Sequence, residues 1–204
     1  MLRLKRALCL ALCLAVIVAL SAGYTKPAET CETQAHAENP ADAARREIPA
    51  EEKLDKEPQA EDLDAVFEPL DVPLEPGAQM EIYAMCLRAG VPFGVILGLI
   101  EHESGFDPNA VSPTDDHGVT QINRCNFGWL QEELGPTDFY DTVQNVRACL
   151  RILGPLWEKH SPHKALMAYQ YGPTGAARKW ANGQVTSYHS KAVLEKAAGY
   201  GWTA

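Results

Sequence analysis

The stretch VPFGVILGLIEHESGF, residues 91–106, decides how this chain folds. Pro92 suits the start of a helix, where its missing N–H costs nothing. From Phe93 to Glu103 the residues are apolar on nearly every face, which predicts a buried central helix. Gly105, Pro108 and Asn109 then stop it. Glu103 follows Ile96, Leu99 and Ile100 by helical intervals and shares their stripe. Glu101 shares the side of Leu97, and His102 lies between the two acids. Spacing alone does not choose between Glu101 and Glu103. Negative charge is disfavoured at the C-terminal end of a helix, so other groups must hold these acids in place. A carboxyl at the edge of a buried helix has its neutral form favoured by desolvation, which makes it a candidate proton donor.

Outward from that helix the pattern stays helical. Gln79 to Arg88 repeats Met80, Tyr83, Ala84 and Leu87 at a helical period and stops at Gly90. Asp141 to Trp157 reads as a second long helix with Val143, Val146, Cys149, Leu150 and Leu153 on one face. Ser161 and Pro162 start another, and shorter helices are expected over 174–181 and 187–198. Between Asp107 and Thr120 the chain reads as loop, with short extended pieces around Gly118 to Ile122. The fold class expected is mainly α, with the domain spanning residues 77–204.

The segment before that domain has a different character. MLRLKR is basic, and the apolar run ALCLALCLAVIVALSA ends in small residues, which is the layout of a secretory signal over residues 1–22. An uncleaved anchor is the alternative, and either places the rest outside the cytoplasm; membrane attachment is expected only through these residues. Residues 23–76 are rich in Ala, Pro, Glu and Asp. From Lys26 to Pro76 there are 15 acids against 5 bases, so this segment carries essentially all of the chain's net charge of −9. Such composition predicts a disordered acidic linker. The domain itself is near neutral and lacks a basic patch with interleaved aromatics, which argues against nucleic-acid binding.

Four short motifs inside the domain fall in order over residues 91–175: Glu103-Ser104; Ser112 followed by Gly118-Val119-Thr120-Gln121; Asn145-Val146; and Ala168-Tyr169-Gln170-Tyr171-Gly172. In this the chain resembles the lytic transglycosylases of the soluble-lytic-transglycosylase (SLT) type. The resemblance implies a lysozyme-like fold, peptidoglycan glycan strands as substrate, no cofactor and a monomeric enzyme. It places Glu103, rather than Glu101, at the catalytic position. It implies sugar binding by Ser104, Ser112, Gly118, Gln121, Asn123, Tyr169 and Gln170, with the Tyr169 phenol orienting the acid or the sugar. Two departures stand out: Gln170 where the family usually has Asn, and Thr120 where it usually has Met. Both positions lie in the groove by analogy.

The block PTDDHGVTQIN, residues 113–123, is also similar to the corresponding block of animal-type lysozymes, in which Asp116 takes the place of a second catalytic carboxylate. Two chemistries therefore stand side by side. In a transglycosylase one carboxyl acts as acid and then as base, and the sugar closes on itself. In a hydrolase Asp116 assists and water completes the cut. A third reading, a non-catalytic wall-binding module, conflicts with the intact Glu103, Gln121 and Tyr169. The domain holds Cys86, Cys125 and Cys149, an odd number; Cys125 with Cys149 is the preferred pair, with apolar filler as the alternative role, above all for Cys86. His160 and His163 are too sparse for a metal site, and none is expected.

Overall fold

The computed structural model describes residues 67–203; the expected signal segment and all of the linker before Phe67 lie outside these. Among the described residues there are six α-helices and one small hairpin: α1 (Pro76–Ala89), α2 (Phe93–Glu103), β1 (Asp116–His117), β2 (Ile122–Asn123), a 3₁₀ turn (Arg124–Asn126), α3 (Phe127–Leu134), α4 (Thr142–Lys159), α5 (Pro162–Ala181) and α6 (Tyr188–Gly199). The mainly α class read from the sequence is the class observed.

Helix α2 is the axis of the core. Every residue from Gly94 to Ile100 is buried, as an all-round apolar helix requires. The neighbouring helices present single stripes to it: Ile82 and Cys86 from α1, Val146, Cys149 and Leu153 from α4, and Val193, Leu194 and Ala197 from α6. Helix α1 starts with Pro76 in its first turn and ends at Gly90, which adopts the left-handed conformation (φ 66°) that glycine reaches without strain. Helix α4 is capped by Asp141, whose carboxylate accepts from the Gln144 N–H. Helix α6 opens on a capping box in which Ser187 and Ser190 each accept from the other's backbone N–H.

Helix α6 lies close against α2. A Cβ on Gly98 would stand 2.6 Å from the Val193 carbonyl oxygen and 2.6 Å from the Ala197 nitrogen, and one on Gly94 would stand 2.8 Å from the Tyr200 carbonyl oxygen. Both glycines lie on one face of α2, one helical turn apart. They leave a groove in which the α6 backbone lies directly against the α2 backbone. Because Gly94 meets the end of α6 and Gly98 its middle, the two helices run antiparallel, and the first turn of α6 comes alongside the last turn of α2.

Four details differ from the sequence expectation. The extended residues flank the segment Gly118–Gln121 rather than fill it: Asp116 pairs with Asn123 and His117 with Ile122, and the four residues between make the turn. Helix α3 was not expected; its eight residues include Gly128 and bury only Leu130, too little periodicity to read. The helix expected over 174–181 is the second half of α5, which bends at Gly172 (φ 68°) because the following Pro173 excludes the helical conformation there. The fourth concerns the linker boundary. Phe67 packs on Tyr83 and Phe93 with ring centroids 4.9 and 5.7 Å away, and the Gln79 amide bonds both Leu70 and Leu74. Residues 67–75 are therefore part of the packed domain, since they bring Phe67, Val72 and Leu74 to an otherwise polar stretch.

The expected Cys125–Cys149 pair does not form: Cys149, like Cys86, is a free thiol. Cys149 points into the core beside Cys86, while Cys125 sits on the 3₁₀ turn. Burial, foremost, raises the Cys149 thiol to about 12 and Cys86 further still, so both remain protonated apolar filler.

Candidate active site

Glu103 is the last residue of α2, and Ser104 fixes the course of the chain beyond it. The Ser104 hydroxyl lies 3.2 Å from the Ile100 carbonyl oxygen and 2.9 Å from that of Val119, so it ties the helix end to the hairpin turn. The Glu103 side chain is 21% exposed, and its Oε1 lies 2.8 Å from Nε2 of His189, a side chain only 4% exposed in the first turn of α6. The His102 ring packs edge-on against His189 at 4.9 Å. Burial, and next the neighbouring His189, hold His102 below its ordinary value. No motif pointed to His189. Its signal lies in the Gly94/Gly98 spacing, which lets α6 approach closely enough to deliver an imidazole to the helix end.

Helix α6 also separates the two acids. Glu101 Oε1 bonds the Lys196 ammonium, and Oε2 accepts from the Tyr200 hydroxyl at 2.6 Å. These hydrogen bonds, Lys196 first, hold the Glu101 carboxyl below the usual carboxylate range, while Tyr200 is pushed up to about 12 by burial and by that carboxylate. An acid fixed in its ionised form has no proton to give. The question raised by two acids at a helix C-terminus is thus answered by α6, which supplies Lys196 and Tyr200 to one and His189 to the other. Glu101→Gln is expected to keep most activity. Its cost should appear in stability and depend on pH: a depressed carboxyl stabilises the fold above its unfolded value, near 4.5, and loses that contribution as pH falls through the folded value. Melting curves of the variant and the parent should therefore converge below about pH 4.5.

The hairpin is a hub of internal hydrogen bonds. Asp116 is 2% exposed. Its Oδ2 accepts from Ser112 Oγ at 2.7 Å and Thr114 Oγ1 at 2.5 Å, and its Oδ1 from Asn123 Nδ2 at 3.0 Å. Ser112 Oγ in turn accepts from the N–H groups of Thr114 and Asp116. Asn123 gives its other amide hydrogen to the Thr114 carbonyl and accepts from the Cys125 N–H. Gln121, in the left-handed region at φ 54°, donates to the Ala110 and Gly118 carbonyls. Both amide hydrogens are used there, which leaves its Oε1 as the group able to meet a sugar. Gly118 (φ 73°) is dictated by packing: a Cβ would lie 2.2 Å from the Phe139 carbonyl oxygen and 2.4 Å from Asn145 Nδ2. Beside the hub, His117 bridges Asp115 (2.6 Å) and Tyr140 (2.8 Å).

Asn145 and Tyr169 anchor the turn from below. Asn145 is fully buried. Its Oδ1 accepts from Thr120 N and Oγ1, and its Nδ2 donates to the His117 and Phe139 carbonyls, which uses every position the amide offers. The Tyr169 phenol donates to the Thr120 carbonyl at 2.8 Å, and burial, foremost, raises it well above the usual phenol range, so it stays a neutral donor. Both family departures turn away from the groove expected for them. Thr120 is 0% exposed, with its hydroxyl on Asn145. Gln170 is 6% exposed, and its Oε1 accepts from Ser187 Oγ, the cap of α6. Analogy places these residues in the groove; the tight turn and the entry of α6 enclose their side chains.

The structure thus gathers Glu103, Ser104, Gln121 and Tyr169 around one turn, with Asp116, Ser112 and Asn123 interlocked at its base. Among the described residues no group of three or more His, Cys, Asp or Glu side chains is arranged to hold a metal ion. No curated protein matches the chain. The family described as the transglycosylase SLT domain matches residues 82–192, from within α1 to within α6. That match covers more than half of the chain and includes all four motifs, so the protein belongs to the transglycosylase SLT domain family, whose lysozyme-like fold serves cleavage of peptidoglycan glycan.

Proposed function

We propose that this protein is an exported lytic transglycosylase that cuts the β-1,4 bond between N-acetylmuramic acid and N-acetylglucosamine and leaves 1,6-anhydromuramyl ends. Neutral Glu103 protonates the glycosidic oxygen as the bond from the muramyl C1 breaks, leaving an oxocarbenium-like centre. The resulting carboxylate takes the proton of the same sugar's C6 hydroxyl as its oxygen bonds C1. One carboxyl is used twice, no water is consumed, and the enzyme ends in its starting state. The substrate's own N-acetyl group supplies the stabilisation that a nucleophile would otherwise give. Gln121 Oε1 accepts from the muramyl residue, and Tyr169 acts through the turn it holds. Residues 1–22 direct the chain out of the cytoplasm, and residues 23–66 space the domain from the membrane or within the wall.

The observation that carries this reading over hydrolysis is the state of Asp116. A nucleophilic carboxylate needs a free oxygen about 5 Å from the acid across the scissile bond. Asp116 is buried, with both oxygens engaged by Ser112, Thr114 and Asn123. A single partly exposed carboxyl at Glu103 suits a reaction that asks for only one. Digests of purified peptidoglycan, read by mass spectrometry of the released muropeptides, are expected to contain 1,6-anhydromuramyl ends as the main product. Reducing muramyl ends in their place overturn the proposal.

Asp116→Asn tests the same point. Its activity loss is expected to be tenfold or less, about 1.4 kcal/mol of transition-state stabilisation. The larger effect should be on melting temperature, because one oxygen that accepts hydrogen bonds becomes an NH₂ group facing either the Ser112 and Thr114 hydroxyls or the Asn123 amide. A loss of several thousandfold in a folded Asp116→Asn, with Asp115→Asn nearly silent, favours the hydrolase.

A further inference from the structure

We infer that His189 is a positioning residue that fixes which oxygen of Glu103 carries the catalytic proton. The inference rests on the reading of Glu103 as acid and base, and it starts from an asymmetry in the imidazole. Nε2 faces Glu103 Oε1 at 2.8 Å, whereas the buried Nδ1 has no hydrogen-bond partner among the described residues. A buried N–H without an acceptor costs about 1–3 kcal/mol. The ring therefore keeps its hydrogen on Nε2 and presents a bare lone pair at Nδ1. An Nε2–H donor at Oε1 excludes a second hydrogen there. The proton of neutral Glu103 is confined to Oε2, and that hydrogen is the one delivered to the glycosidic oxygen. After delivery Nε2–H still bonds Oε1, so the returning C6 hydroxyl proton also finds Oε2. His189 keeps its own hydrogen through the cycle.

The ring is held for this task from three sides. His102 packs on its edge. The Ser187–Ser190 capping box fixes the first turn of α6, and Gln170 bonds Ser187 from α5. His163 on α5 bonds Ser190. Other titratable groups face the pair. Helix α2 supplies His102 and Glu101, α4 supplies Cys149, α5 supplies Tyr169, and α6 itself supplies Lys196. Cys149 and Tyr169 keep their hydrogens. Glu101 and Lys196 neutralise each other. His102 is the neighbour whose charge changes on the acid side of neutrality.

The test uses the full-length protein on purified glycan strands, with Glu103→Gln as reference. His189→Phe keeps a ring against His102 and removes the donor; His189→Gln returns an N–H at similar reach. His189→Phe is expected to lower kcat about tenfold to a hundredfold with KM little changed. His189→Gln should recover kcat to within about threefold of the parent. Nitrogen NMR of the parent protein should report the Nε2–H tautomer of His189 at neutral pH. A folded His189→Phe with parental kcat overturns the inference, as does an Nδ1–H tautomer. If Glu103→Gln itself stays active, it is the assignment of the acid that fails, and the two failures are told apart.

Discussion

Glu103→Gln is expected to lower kcat by about a thousandfold or more, within the range that a positioned general acid and base contributes. The substitution is a sharp one here because it disturbs so little else. The Gln carbonyl oxygen can accept from His189 Nε2 as Oε1 of the acid does at 2.8 Å, so the contact between the end of α2 and the start of α6 survives. The side chain keeps its size in a site that is 21% exposed. The losses are the hydrogen for the glycosidic oxygen and the carboxylate to take one back, and the reaction uses both. The fold and glycan affinity should therefore match the parent in melting and in binding to glycan fragments while turnover vanishes. Glu101→Gln is the paired control. If Glu101→Gln is the inactive protein and Glu103→Gln the active one, the catalytic carboxyl has been misassigned by half a helical turn.

Why the surroundings of these two acids needed the structure is a matter of sequence distance. An all-round apolar run ended by Glu-Ser-Gly announces both the central helix and an acid at its edge, because burial and helix period are local properties. The contacts that tell Glu101 from Glu103 come from residues 95 and 86 positions away, Lys196 and His189. Nothing in a local window reports them; before the structure, only the motif resemblance favoured Glu103. The same limit governs the motif residues. Asn145 was legible as part of a motif, but its use as a four-point clamp on the hairpin depends on Phe139, His117 and Thr120 meeting in space. Thr120 and Gln170 were assigned to a groove by analogy, yet a buried hydroxyl finds its partner in Asn145 and a buried amide in Ser187. Helix α3 escaped notice because eight residues with one buried side chain carry almost no period. The linker boundary was set by composition, which averages over residues, whereas Phe67 packs as one ring against two others.

The second large effect is expected from Gly98→Ala, a change of one methyl group in a residue that touches no substrate. Alanine is the better helix former, and at an open position the exchange should be neutral or stabilise by up to about 1 kcal/mol. Gly128 in α3 is such a position, with nothing within 4 Å of the place a methyl would take. At Gly98 the methyl would stand 2.6 Å from the Val193 carbonyl oxygen, 2.6 Å from the Ala197 nitrogen and 3.0 Å from its Cα. These are backbone atoms in the middle of a helix, so no side chain can rotate aside, and α6 must move away as a unit. Cores overfilled in this way lose about 1–3 kcal/mol. For a domain of this size that is a fall in Tm of roughly 3–15 °C, against no fall for Gly128→Ala. The displacement also reaches the chemistry, because α6 carries His189 at its first turn and Lys196 at its last. Gly98→Ala should lose kcat even well below its Tm, as Nε2 is drawn from Glu103. A Gly98→Ala protein that melts and turns over like the parent means that the close backbone approach of α2 and α6 is not what sets the acid in place.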